Sequence, residues 1–124
     1  MPTRPSEFAT YVIDQLSSLA DVRARPFFGG TGLTAASLQF AMIMEGTLYF
    51  VVDKHTRPAY ERMGSSCFSY LTKNGRVQVR KYYSVPVEVI EDQAGLSALA
   101  MAAIEAARLA ARPGKKRDAK DASP

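Results

Sequence analysis

The sequence has few of the side chains that most often carry out catalysis or hold a metal ion. Its 124 residues include one histidine, His55, and one cysteine, Cys67. Because a structural zinc site takes four ligands, most of them Cys or His, we expect no metal site. A single cysteine cannot form a disulfide within the chain, which agrees with a reducing compartment.

Long apolar runs are also missing. No run approaches the roughly 20 apolar residues that a membrane-spanning helix needs. Residues 1–7 lack the apolar core of a signal peptide. We therefore expect a cytoplasmic protein with no membrane partner.

Basic residues only slightly outnumber acidic residues. Sixteen Lys and Arg against twelve Asp and Glu give a net charge of +4. Residues 113–124 carry +2 of this, and the remainder is too small to indicate nucleic-acid binding by the whole molecule. Length and composition predict a flexible arm over residues 1–5, a single domain over 6–112 and a disordered charged tail over 113–124.

Three segments show helical signals. Ser6 is a candidate cap for an amphipathic first helix, and Thr56 for a short middle helix. Residues 92–112 are rich in alanine and predict a long C-terminal helix.

Glycines mark the start of the predicted sheet. Residues 22–28 include Pro26 and form at best an edge strand or an extended segment. The glycines at 29, 30 and 32 predict a sharp turn. A phosphate-binding loop is disfavoured because neither the Lys-Ser/Thr pair nor a helix follows them.

A first hairpin is predicted around the turn Glu45-Gly46. Its register would place Ala41 opposite Phe50 and Ile43 opposite Leu48. Both faces of this hairpin are apolar, so we expect each face to be covered. A helix, a loop or another subunit could supply the second cover, which makes a homodimer possible.

A second hairpin is predicted around Asn74-Gly75, with Tyr70 opposite Val79 and Thr72 opposite Val77. Its polar face combines cations with aromatic rings, a pattern that suits an acidic protein or a nucleic acid. The same charges could simply protect a solvated strand. The candidate interaction surface consists of Lys73, Arg76, Arg80, Lys81, Tyr82 and Tyr83.

Two other groups of residues contain side chains that can take part in catalysis. Cys67 and His55 could form a nucleophile pair, but the sequence indicates no third group to orient them. Glu88, Glu91 and Asp92 could act as paired carboxylates, although acidic residues before a helix explain them as well. We therefore expect no enzymatic activity and no cofactor.

The order of these motifs resembles the N-terminal domain of the TfoX/Sxy family, bacterial regulators of natural competence. The matching segments are Phe8 to Leu16, Arg25 to Leu33, Phe40 to Asp53, Gly64 to Tyr70 and Tyr83 to Asp92. Full-length family members act with the cyclic-AMP receptor protein and carry a second, helical domain, which we do not expect after residue 112.

The resemblance implies an α+β fold akin to secretion-chaperone-like domains. We expect an antiparallel sheet of about five strands, with an N-terminal helix, a short middle helix and a long C-terminal helix packed on it. It also implies a non-enzymatic regulatory or adaptor domain in transcription regulation, which binds a protein of the transcription machinery or a regulator. Direct nucleic-acid binding through the second hairpin and the tail is the alternative.

Overall fold

A computed structural model of the chain describes residues 7–111. The predicted Ser6 cap, the arm over 1–5 and the tail over 113–124 lie outside the described residues. Within 7–111, no helix is both long enough and apolar enough to cross a membrane.

The described chain is an α+β domain with one antiparallel sheet, and this confirms the predicted fold class. The strands follow the order β1-β2-β3-β4-β6-β5 across the sheet. The elements are α1 (Glu7–Gln15), β1 (Val22–Phe27), β2 (Gly30–Ala35), β3 (Leu38–Met44), β4 (Thr47–Val51), α2 (Arg57–Arg62), β5 (Cys67–Thr72), β6 (Gly75–Ser84), α3 (Val87–Ile90) and α4 (Gln93–Ala110).

The sheet has six strands where about five were expected, because the glycine-rich segment is itself a strand. Only Phe28 and Gly29 form the turn, with φ angles of 46° and 81°. From Gly30 onward, the chain pairs with β1 on one side and β3 on the other. β1 is an edge strand, as predicted.

The register of the first hairpin agrees with the prediction. Ala41 lies opposite Phe50, and Ile43 lies opposite Leu48. The turn residues Glu45 and Gly46 both have positive φ angles, 52° and 82°. Positive φ at both central residues matches the twist of the flanking strands and fixes this register.

The register predicted for the second hairpin is wrong by two residues. Thr72 pairs with Gly75, and Tyr70 pairs with Val77 instead of Val79. The turn is therefore Lys73-Asn74. The hydroxyl of Thr72 closes it by accepting the N–H of Asn74 at 3.1 Å and donating to the carbonyl of Gly75 at 2.9 Å. Because the shift is even, side chains over residues 68–79 keep their predicted faces. A bulge between Cys67 and Phe68 breaks the alternation beyond Val79, so Tyr82 lies on the same face as Val79 and not on the predicted polar face.

One face of the sheet is covered by helix. α4 packs on β3 and β4, with Leu96, Ala100 and Ala103 buried in the core. α1 is tied to the region where α3 ends and α4 begins: Gln15 Nε2 donates to the carbonyl of Ile90 at 2.9 Å, and Gln93 Nε2 donates to that of Gln15 at 3.2 Å. The middle helix α2 places Tyr60 against Tyr83 of β6, with ring centroids 6.2 Å apart.

Candidate interaction surface

The opposite face of the sheet holds an apolar cavity of about 570 Å³, here called the sheet cavity. Five aromatic rings and two methionines dominate its lining, and no lining residue belongs to a helix. The lining residues are Phe27, Phe28, Met42, Met44, Phe68, Tyr70, Val79 and Tyr82. They come from both edges of the sheet as well as its centre, so the sheet curves around the cavity.

The curvature explains how an apolar strand is buried without a helix above it. Met42 of the central strand β3 is only 2% exposed. The face that was expected to need a cover is therefore covered largely by the sheet's own outer parts. What stays open is the rim, where Phe28 is 84% and Tyr70 is 41% exposed. The rings of Phe27 and Phe28 contact each other edge to face, with their centroids 4.7 Å apart.

A chain of polar side chains borders the cavity. Arg25 Nη2 donates to Gln39 Oε1 at 2.9 Å, and Gln39 Nε2 donates to the hydroxyl oxygen of Tyr82 at 3.2 Å. A Cβ at Gly32 would lie 2.5 Å from Gln39 Oε1. The side-chain amide of Gln39 therefore fits here because residue 32 is a glycine. Burial raises the pKa of Tyr82, which stays neutral as a hydrogen-bonding group.

The predicted cations lie on the surface. Lys73, Arg76, Arg80 and Lys81 are all exposed. Arg76 Nη1 donates to Ser69 Oγ at 2.7 Å, so its guanidinium crosses from β6 onto the edge strand β5. The ammonium of Lys81 lies 5.9 Å from the ring centroid of Tyr82.

The two predicted aromatic members, Tyr82 and Tyr83, are buried at 7% and 4% exposure. Tyr82 lines the sheet cavity, whereas Tyr83 packs beside Tyr60 and donates to Glu61 Oε2 at 3.0 Å. Tyr82 therefore lies beside one of the cations, Lys81, but both rings are buried and neither is open for a nucleic-acid base to stack on. The end of β6 is central because it pairs with β4 as well as β5, a contact that the hairpin alone does not reveal.

With this geometry in view, comparison with known proteins identifies the family. A sequence model of the TfoX N-terminal domain matches residues 14–107. The chain belongs to the TfoX N-terminal domain family. A comparison with curated proteins finds no match.

The matched region of this TfoX N-terminal domain runs from within α1 to near the end of α4, so it includes the whole lining of the sheet cavity. Of the cavity residues, only Tyr82 belongs to the candidate interaction surface predicted from the sequence. Two signals pointed towards the cavity: the paired rings of Phe27 and Phe28 beside a glycine, and a hairpin that is apolar on both faces.

Charge is unevenly distributed over the TfoX N-terminal domain. Residues 7–111 contain ten basic and ten acidic side chains, which gives no net charge. Within them, the β5–β6 hairpin over residues 67–84 has four cations and no Asp or Glu. The hairpin is thus the positive end of an otherwise acidic body.

The single histidine and the single cysteine do not form a reactive pair in the described chain. His55 is exposed, and its backbone N–H donates to Asp53 Oδ1 at 2.9 Å. Cys67 is half-buried opposite Tyr83, and no hydrogen bond joins it to His55 in the described chain. No cluster of three or more potential metal ligands occurs within residues 7–111.

The three acidic residues lie near the N-termini of helices, which favour negative charge. Glu88 is in the first turn of α3, and Glu91 and Asp92 directly precede α4.

Proposed function

We propose that this TfoX N-terminal domain is a cytoplasmic regulatory or adaptor domain that binds another protein and carries out no reaction. The observation that supports this is the sheet cavity, an apolar concavity with exposed rings at its rim. Such a surface suits an apolar anchor from a partner, because filling it removes apolar area from water on both molecules.

The role that we propose follows the family. A competence-regulator-like domain acts in transcription regulation, so its partner would be a protein of the transcription machinery or another regulator. The polar border of Arg25 and Gln39 would orient such a partner, since polar groups at the rim of an apolar site supply specificity.

A capture experiment tests the cavity. The full chain is used as bait in an extract of its native cells, with nuclease treatment in parallel. We expect a protein that survives nuclease and is lost from the double variant Phe28→Ala with Tyr70→Ala. The control is Val87→Ala with Met101→Ala, which removes two exposed apolar side chains elsewhere. Equal capture by both double variants would refute cavity-mediated binding.

Direct nucleic-acid binding is the second candidate, and the unbroken positive charge of the β5–β6 hairpin favours it. Its other proposed contact, Lys115 to Lys120, lies outside the described residues. Binding of this kind should weaken steeply with salt, by a log–log slope of about −0.9 per phosphate contact. The variant Arg76→Ala with Arg80→Ala should lose it, while Arg23→Ala with Arg62→Ala should not. No binding at low ionic strength would eliminate this candidate.

The non-enzymatic part of the proposal has its own test. His55→Ala and Cys67→Ala are expected to leave partner capture unchanged. A loss of function in both variants, with folding intact, would instead indicate that the pair acts together.

A further inference from the structure

The two edges of the sheet are protected very differently. β1 carries Arg23 and Arg25 and contains Pro26, and charges and proline are among the devices that block pairing with another chain. β5, Cys67–Thr72, has the sequence C-F-S-Y-L-T, without charge or proline. It is the outer strand at its side of the described sheet, and its last three residues are exposed.

We propose that β5 receives an extended segment of a partner protein as an additional strand, with the side-chain order apolar–acidic–apolar. This rests on the proposed protein-binding function and adds to it the mode of binding and the chemistry of the partner. Main-chain hydrogen bonds to an open edge give affinity, and alternating side chains give specificity.

The apolar positions follow from the cavity. Phe68 and Tyr70 lie on the face of β5 that lines the sheet cavity. Residues of the added strand opposite them would extend this apolar surface towards the open rim, because directly opposed side chains share a face. Phe68 already contacts Tyr49 and Tyr70, with ring centroids at 5.3 and 6.1 Å.

The acidic position follows from Arg76. Its guanidinium lies across β5 and donates to Ser69 on the face opposite the cavity. A residue of the added strand opposite Ser69 would meet this guanidinium, which pairs best with a carboxylate. No acidic side chain within residues 67–84 competes for it.

Charge also decides between a partner protein and a second copy of this chain. Pairing β5 with β5 of another copy would bring two hairpins together, each with four cations and no acid. Like charges across an interface oppose association. An acidic strand has the complementary charge.

The test is a titration of the ¹⁵N-labelled full chain with the peptide Gly-Thr-Val-Glu-Val-Thr-Gly, blocked at both ends. We expect amide shifts over residues 67–72 and slowed exchange of β5 amides, with no change over the β1 edge. Arg76→Ala should weaken binding about threefold to fivefold, as expected for an exposed ion pair. Arg23→Ala is the matched control and should have no effect, and a Val-Lys-Val peptide should bind more weakly than Val-Glu-Val.

Methylation of the peptide nitrogens along one edge separates strand addition from simple charge attraction. The peptide methylated on the pairing edge should lose binding, and the peptide methylated on the other edge should keep it. Equal binding of both would overturn the added strand while leaving protein binding in place. A dimer of the chain that is dissociated by Leu71→Glu would overturn it too, because a second copy would then occupy the edge.

Discussion

At the scale of single residues, the buried tyrosines show how hydroxyl groups are accommodated. Tyr83 donates to Glu61, and Tyr82 accepts from Gln39, but the hydroxyl of Tyr60 is buried without a hydrogen-bond partner in the described structure. An unpaired buried hydroxyl opposes folding. Tyr60→Phe should therefore raise the free energy of unfolding by about 1 kcal/mol.

The control for this variant is Tyr83→Phe, which removes a made hydrogen bond of 3.0 Å and should lower stability by about 1 kcal/mol. Urea denaturation followed by circular dichroism measures both. Equal destabilisation by the two variants would show that Tyr60 has a partner, such as a bound water.

Tyr60 also makes stability depend on alkaline pH. Burial raises its pKa far above the ordinary value of 10, so the folded chain keeps the proton after the unfolded chain has lost it. The contribution of Tyr60 to the free energy of unfolding is complete below about pH 10. Above that pH the free energy of unfolding declines by at most about 1.4 kcal/mol per pH unit. Tyr60→Phe should flatten the decline measured between pH 9.5 and about 11. An unchanged slope would assign the effect to the other tyrosines.

Two glycines of β2 differ in what an added methyl group would meet. At Gly32 the Cβ would meet the amide of Gln39, which can move aside and give up its bonds to Arg25 and Tyr82. At Gly30 it would meet the backbone carbonyl of Ile43 as well as the sulfur of Met44. We expect Gly30→Ala to cost about 2–3 kcal/mol and Gly32→Ala about 1 kcal/mol or less, measured by denaturation. The reverse order would contradict this account.

At the scale of elements, α4 lies on the sheet through small side chains. Ala100 and Ala103 are fully buried over β3 and β4, so there is no room for longer side chains. Ala100→Leu and Ala103→Leu should each lower stability by about 1–3 kcal/mol through overpacking. Ala98→Leu lies on the exposed side of the same helix and should change stability by less than about 0.5 kcal/mol. Thermal unfolding would show the difference, and equal effects would place α4 further from the sheet.

The elements also show how far local sequence specifies structure. The first hairpin was predictable because Gly46 suits a two-residue turn and apolar strands flank it on both sides, although Glu45 is a less favourable turn residue than Asn. The second was predicted two residues out of register, because Asn74-Gly75 is the stronger turn signal in the sequence. The observed turn is Lys73-Asn74, which the hydroxyl of Thr72 stabilises. The strand β2 was missed because glycines indicate turns unless neighbouring strands pair with them. The helical segments follow from periodicity and composition, which are local, whereas the α+β class was implied by the family resemblance.

The candidate surface depends on long-range pairing and was therefore predicted only in part. The four cations are exposed because they alternate with apolar residues or lie at the turn and the end of a hairpin. Tyr82 and Tyr83 are buried because the end of β6 lies between β5 and β4, where it pairs with Val51 and Phe50 of β4. Nothing near residue 82 in the sequence indicates that contact, and the sheet cavity depends on it.

At the scale of the whole molecule, the exposed apolar area bears on the oligomeric state. The homodimer considered from the sequence would use the open face, where Phe28 and Tyr70 are exposed at 84% and 41%. For aromatic side chains that bury 150–250 Å² each, these fractions amount to roughly 250 Å². A specific interface buries about 800 Å² on each partner.

We therefore expect the chain alone to be a monomer of 13.6 kDa by light scattering at micromolar concentration. A mass about twice this value would contradict the expectation. In that case Phe28→Ser, which removes the most exposed ring of the rim, should restore the monomer if the face with the cavity forms the interface. Val87→Ser is the matched control, because it removes an exposed apolar side chain from α3. A dimer that survives both changes would have to use a surface other than the rim of the sheet cavity.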